Sequence, residues 1–132
     1  MKHIDWNLVL QLSLFGAAMG IATVFVIPAN IEPLCWLVIF VVCAVLIARR
    51  CTSHYFLHGL LVSVANSVWI TTAHVVFFDP YVASHAREAA MSAGMSSPRL
   101  MMIATGPIVG LVSGLVLGLF AFAASKLLGT RR

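Results

Sequence analysis

The residues best suited to chemistry in this sequence are polar side chains within an apolar segment, 51–78. They are Ser63, Asn66, Ser67, Thr71 and His74, called here the polar stripe. On a helical projection four of them fall within about 80° of one another, and Asn66 lies at the edge. Such groups either bond neighbouring helices or line a path for a small polar substrate or a proton, with His74 as the titrating group. The stripe therefore predicts an inward-facing surface, with both interpretations open.

A second set of candidate ligands stands at the start of the same segment. Cys51, His54 and His58 have the spacing C-x2-H-x3-H, and the two histidines share one helical face. Thiolate and imidazole suit zinc or copper, but a structural zinc site takes four ligands and the sequence offers no fourth here. We therefore expect interfacial histidines with polar tips at the headgroups. We predict no bound metal and no cofactor.

A third set lies between 85 and 102, where a histidine precedes four of the six methionines. These residues are His85, Met91, Met95, Met101 and Met102. Thioethers bind Cu(I), so copper handling outside the cytoplasm is an alternative function. Because the methionines form no tight array, they are more typical of flexible apolar filler on an interfacial helix.

The charged residues argue against an enzyme and against nucleic-acid binding. The acidic residues are Asp5, Glu32, Asp79 and Glu88. All are expected at or beyond the membrane interfaces, so no buried acid accompanies a nucleophile and a base. The net charge of +4 comes from basic residues at the ends of apolar segments, and not from a basic stripe. We expect no enzymatic activity and no nucleic-acid partner.

The elements that position these residues must be membrane helices. Of 132 residues, 61% are hydrophobic and only 9% are charged, and a soluble domain of this size could not bury so much apolar surface. A helix needs roughly 17–25 residues to cross a bilayer. We predict one all-α domain, 1–132, with spans at about 7–27, 33–49, 55–78 and 99–125. The short second span leaves a re-entrant segment as the alternative, and the outer loop, 79–98, should hold a short helix.

The strongest packing motif is a glycine repeat in the fourth span. Gly106, Gly110, Gly114 and Gly118 recur every four residues, and we call them the glycine seam. Small residues let two helix backbones approach closely, which drives association in lipid. Gly16 and Gly20 in the first span offer a matching surface. The seam therefore packs on the first span within one chain, or joins a second copy or another membrane protein.

The distribution of Lys and Arg predicts the orientation. Only Arg87 and Arg99 lie outside if both termini are cytoplasmic. The basic residues then inside are Lys2, Arg49, Arg50, Lys126, Arg131 and Arg132. Because cytoplasmic ends carry the excess of basic residues, we predict that both termini face the cytoplasm.

Two short sequences resemble a known kind of protein. Phe77-Phe78-Asp79-Pro80 ends the third span, and Ser97-Pro98-Arg99-Leu100 leads into the glycine seam. In this layout the chain resembles small four-span bacterial inner-membrane proteins of uncharacterised activity. The resemblance implies an integral protein of the bacterial inner membrane and carries over no reaction.

These features together predict a non-enzymatic membrane protein that acts through helix packing. It would serve as an accessory subunit, an assembly partner or a homo-oligomer, because the glycine seam is the most specific motif. A small oligomeric transporter with a polar path along the third span is the alternative. Copper or zinc handling is a further alternative.

Overall fold

A computed structural model describes residues 3–128, and within this range the chain forms helices and no strands. The elements are α1 (Trp6–Phe25), α2 (Glu32–Arg50), α3 (Tyr55–Val76), α4 (Phe78–Ser84), α5 (Ala86–Ser92) and α6 (Pro98–Leu128). The four longer helices, α1, α2, α3 and α6, are long and apolar enough to cross a membrane. The described residues are therefore all-α, and their four long apolar helices indicate an integral membrane protein. Lys2, Arg131 and Arg132, which enter the charge count, lie outside the described residues.

Local sequence explains where the first two spans begin and end. The Asp5 carboxylate accepts a hydrogen bond from the Leu8 backbone N–H at 3.0 Å and caps α1. Helix α2 has Pro33 in its first turn and two arginines in its last turn, where each residue type is favoured. Its 19 residues extend about 28 Å at 1.5 Å per residue. The shortest predicted span is thus a continuous helix.

The loop 79–98, which the sequence predicts to lie outside, forms two short helices where the sequence predicts one. The end of the bundle that holds this loop is called the outer end, after that prediction, and the opposite end is called the inner end. The backbone leaves the helical conformation at His85 (φ −128°, ψ 82°), which separates α4 from α5. The His85 ring reaches the Tyr81 carbonyl oxygen, 2.9 Å from Nδ1. The Ser84 hydroxyl lies 3.4 Å from the Val24 carbonyl oxygen and links α4 to the end of α1. These side-chain contacts hold the break in place.

Helix α3 is the central element of the bundle. It packs most extensively on α6 and then on α1, while α2 packs mainly on α6. Helices α1 and α6 make at most marginal contact, so the predicted pairing of the glycine seam with the first span is wrong. The physical reason is that α3 presents small residues and a polar stripe on two faces, and each face accepts a glycine-bearing helix.

The glycine seam faces α3 of the same chain. A Cβ atom added at Gly118 would lie 2.8 Å from the Phe56 carbonyl oxygen, so the two backbones are close enough to require glycine. At that crossing α3 supplies its own glycine, because a Cβ on Gly59 would lie 2.7 Å from the Gly118 Cα. The other seam contacts pair Gly106 with Thr71, Gly110 with Ser67, and Gly114 with Leu60.

The two glycines of the first span also face α3. A Cβ on Gly16 would lie 2.6 Å from the Asn66 Cα, and one on Gly20 would lie 2.9 Å from the Ala73 Cβ. Glycine thus brings α1 onto one face of α3 and α6 onto another.

Pro107 lies well inside α6, since that helix begins at Pro98. The predicted start of the fourth span, at about residue 99, agrees with this boundary. Proline has no backbone N–H, so it cannot donate the helical bond to the Ile103 carbonyl. The outer third of α6 is therefore joined to the rest by an incomplete hydrogen-bond ladder.

The Gly59–Gly118 crossing generates a stability prediction. Gly59→Ala should lower the free energy of unfolding by about 1–3 kcal/mol, because the new methyl group meets backbone that cannot move aside. Gly94→Ala is the matched control, since no described atom lies within 4 Å of a Cβ there. Thermal unfolding in detergent, followed by circular dichroism, measures both variants. Equal midpoints for the two would contradict a close α3–α6 contact.

Candidate functional site: a cavity between the outer halves of the helices

A cavity of about 900 Å³ lies between the outer half of α2, α3, α6 and the short helix α5. It exists because α2 packs on α6 and scarcely touches α3, so the outer half of α2 stands away from the other two helices. At the inner end, side chains of all four long helices close the bundle in one apolar cluster that includes Leu12, Ile47, Val62 and Leu117.

All five residues of the polar stripe line this cavity. Ser63, Asn66 and Ser67 are buried, while Thr71 and His74 are half-buried. The Ser67 hydroxyl donates to the Val64 carbonyl oxygen of its own helix at 2.6 Å, so its oxygen lone pairs stay available as acceptors. The stripe is thus the polar wall of a cavity whose other walls are mostly apolar.

The Asn66 side chain fits both interpretations of the polar stripe, the bonding of helices and the lining of a path for a substrate. Its Oδ1 accepts a hydrogen bond from the Gly16 backbone N–H at 3.1 Å, which bonds α3 to α1. Its Nδ2 is buried and has no hydrogen-bond partner within the described part of the chain. The side chain is only 2% exposed. Asn66 therefore connects helices through one atom and leaves a donor without an acceptor through the other.

Three aromatic rings stack in series beside the polar stripe. The His74 ring stacks on Tyr81 with centroids 3.9 Å apart, and Tyr81 stacks on His85 at 4.3 Å. The His74 Nε2 lies 2.9 Å from the Thr23 hydroxyl of α1. These contacts fix the His74 ring between α1 and α4 and give the cavity an aromatic wall at its outer end.

Two carboxylates, Glu32 and Glu88, also line the cavity, whereas the sequence predicts only that both lie at or beyond the membrane interfaces. Glu32 Oε1 accepts a hydrogen bond from the Trp36 indole N–H at 3.4 Å, and Oε2 lies 3.6 Å from His85 Nε2. Glu88 Oε2 is buried without a hydrogen-bond partner among residues 3–128. The sequence held a signal for the position of Glu32: Glu32, Trp36 and Phe40 recur every four residues and so share one face of α2. All three line the cavity.

The two carboxylates affect the pKa of the neighbouring Tyr81. Burial, and then the negative charges of Glu88 and Glu32, raise the pKa of Tyr81 above its usual range. The Tyr81 phenol therefore stays neutral at physiological pH.

The methionines of the third candidate set are wall residues of the same cavity. Met91 and Met95 line it from α5 and the following turn, and Met101 and Met102 line it from α6. His85 is buried behind Tyr81, with Nδ1 directed to the Tyr81 carbonyl oxygen. Thioethers at these places give the cavity a wall that adapts to the shape of a ligand.

The candidate metal set Cys51, His54 and His58 is built differently from a metal site. The Asp5 backbone N–H donates to His58 Nε2 at 3.0 Å, and His58 Nδ1 lies 2.8 Å from the His54 carbonyl oxygen. Both His58 nitrogens are therefore engaged, and its ring is 1% exposed. The prediction that its tip reaches the headgroups is wrong, because the ring ties the start of α1 to α3.

The other two members of this set do not complete it. His54 is exposed and has left-handed backbone (φ 54°). Burial, and then the nearby Asp5 charge, raise the pKa of Cys51 to about 11, so it is a thiol at neutral pH and a poor ligand. Among the described residues no group of three or more His, Cys, Asp or Glu could hold a metal ion.

Comparison with protein-family models, with curated proteins and with solved structures finds no match to this chain. The chemistry of the cavity itself must therefore indicate the function.

Proposed function

We propose that this protein is a non-enzymatic membrane carrier that binds a small, partly polar molecule in the cavity between α2, α3 and α6. The observation that carries the proposal is the Asn66 Nδ2 group, a buried donor in the cavity wall without a partner among the described residues. A buried donor left unsatisfied costs about 1–3 kcal/mol. A ligand that accepts a hydrogen bond there would offset this cost.

The cavity has the size and the composition of a small-molecule site. Its volume of about 900 Å³ lies within the usual range of roughly 300–1,000 Å³ for such sites. Most of its lining is apolar, with a few polar groups converging from α3, which is how such sites fix the orientation of a ligand. Polar side chains at membrane depth commonly mark substrate pathways.

Transport also requires access from the opposite side of the membrane. The apolar cluster at the inner end closes the single chain there. We therefore propose that the carrier works as a homo-oligomer, in which repacking between copies opens the second side. Association would use a face other than the glycine seam, because the seam faces α3 of its own chain. The hypothesis that the protein is an accessory subunit that binds a partner through that seam stays a prediction.

We further propose that both termini face the cytoplasm of a bacterial inner membrane. His3 and Asp5 lie beside Arg50 and Cys51 around a small pocket, so the N-terminal segment and the α2–α3 turn share one end of the bundle. The basic pair Arg49 and Arg50 marks this end as cytoplasmic under the positive-inside rule. The cavity then opens toward the extracytoplasmic side.

Reporter fusions test this orientation. Alkaline phosphatase becomes active only outside the cytoplasm, where its disulfides form. A fusion inserted at Gly94 should be active, and a fusion at the C-terminal end should be inactive. A cytoplasmic fluorescent reporter at the same two positions is the control and should give the reverse pattern. Activity at the C-terminal end alone would contradict the proposed orientation.

A cavity-filling substitution tests the proposed binding. Ser113 lines the cavity from α6, so Ser113→Phe should place a ring where the ligand binds. Val112→Phe is the matched control, because Val112 is exposed on the same helix and does not line the cavity. After gentle extraction, native mass spectrometry should find a small molecule on the wild type and on Val112→Phe, and at least about tenfold less on Ser113→Phe. An equally loaded Ser113→Phe protein, or a wild type that carries nothing, would contradict the proposal.

A further inference from the structure

The charged side chains that line the cavity are all acidic. Glu32 and Glu88 both line it, and among the described residues no Lys or Arg does so. The basic residues at this end are Arg87 and Arg99, which are exposed; Arg99 lies 3.9 Å from Asp79 and over the Phe78 ring. An acidic lining inside low-dielectric walls concentrates cations and repels anions.

The two carboxylates retain capacity to accept hydrogen bonds. Glu88 Oε2 is buried and unpartnered within residues 3–128. Glu32 Oε2 lies 3.6 Å from His85 Nε2, which is longer than a hydrogen bond. His85 Nδ1 lies 2.9 Å from both the Tyr81 carbonyl oxygen and the Ser84 hydroxyl, and His85 Nε2 has no hydrogen-bond partner among the described residues. Both carboxylates therefore suit a ligand that brings N–H donors.

The remaining walls suit the body of such a ligand. Trp36, Phe40 and Tyr81 present aromatic surface to the cavity, and aromatic faces attract cations as well as apolar groups. The methionines complete an adaptable apolar wall. Asn66, whose Nδ2 is buried without an acceptor among the described residues, lines the same cavity.

We infer that the cavity selects lipophilic amines in their protonated form. The ammonium group donates to Glu32 and Glu88 at the outer end, and the aromatic or aliphatic body packs on Trp36, Phe40 and Tyr81. This inference rests on the proposed function, since it names the ligand class of the same cavity. A charge-assisted bond from ammonium to carboxylate is stronger than a bond from a neutral donor, so charge and not size alone decides which molecules bind.

Three molecules of one skeleton test the inference: diphenylpropylamine, the corresponding alcohol and the corresponding carboxylate. Binding is measured by equilibrium dialysis of the full-length protein in non-ionic detergent against protein-free micelles, which removes partition into detergent. The wild type should bind the amine at least about tenfold more tightly than the alcohol, and the carboxylate more weakly still.

Matched variants assign the preference to the two glutamates. Glu32→Gln combined with Glu88→Gln should lower the affinity for the amine at least about tenfold and leave the alcohol almost unchanged. Asp79→Asn is the control, because Asp79 is exposed and does not line the cavity. It removes the same kind of charge and should change neither affinity.

The outcomes separate this inference from the proposed function. Equal binding of all three molecules, abolished by Ser113→Phe and unaffected by the glutamate substitutions, would overturn the amine selectivity and leave the carrier proposal intact. A preference for the amine that survives both glutamate substitutions would also overturn the inference. Binding of none of the three molecules would overturn the amine selectivity, and together with an unloaded wild type after gentle extraction it would overturn the carrier proposal as well.

Discussion

The close approach of two glycine-bearing helices to α3 is the constraint on which the rest of the structure depends. In lipid there is no hydrophobic force between helices, so backbones must come near enough for van der Waals contact. Gly16 and Gly20 achieve this on the α1 side, and the glycine seam, with Gly59 of α3, achieves it on the α6 side. Since α3 has a neighbour on each of these faces, α2 is left to pack on α6.

The position of α2 produces the cavity. Its inner half joins the apolar cluster through Cys43, Ala44 and Ile47, whereas its outer half carries Glu32, Trp36 and Phe40 along the cavity wall. The larger side chains of this outer half cannot approach α3 as glycine does. Part of the polar stripe is therefore left facing space instead of another helix, and a stripe that would otherwise serve only to bond helices becomes the wall of a site.

The sequence predicts the spans well because their signal is local. Uninterrupted apolar length identifies four membrane helices, and the proline and arginine positions fit the ends of α2. Partner choice is not local: the glycine seam and Gly16–Gly20 are both small surfaces, and nothing in their spacing says that α3, with the inconspicuous Gly59, lies between them. Glu32 and Glu88 are expected at or beyond the membrane interfaces because charge near a span end usually marks an interface. The burial of His58 was not predictable for a different reason, because its backbone partner, Asp5, is 53 residues away in the sequence.

The polar groups of the cavity have unequal roles, and that inequality argues for a ligand. Helix-bonding alone accounts for Asn66 Oδ1, which satisfies the Gly16 N–H, and for the Ser67 hydroxyl, which satisfies a carbonyl of its own helix. It does not account for Asn66 Nδ2 or Glu88 Oε2, which are buried without partners in the described part of the chain. A leucine at position 66 would fill the same space without an unsatisfied donor, but it would remove the hydrogen bond that joins Asn66 Oδ1 to the Gly16 N–H of α1. Asn66 thus bonds α1 through its oxygen, and under the proposed function its nitrogen donates to the bound molecule.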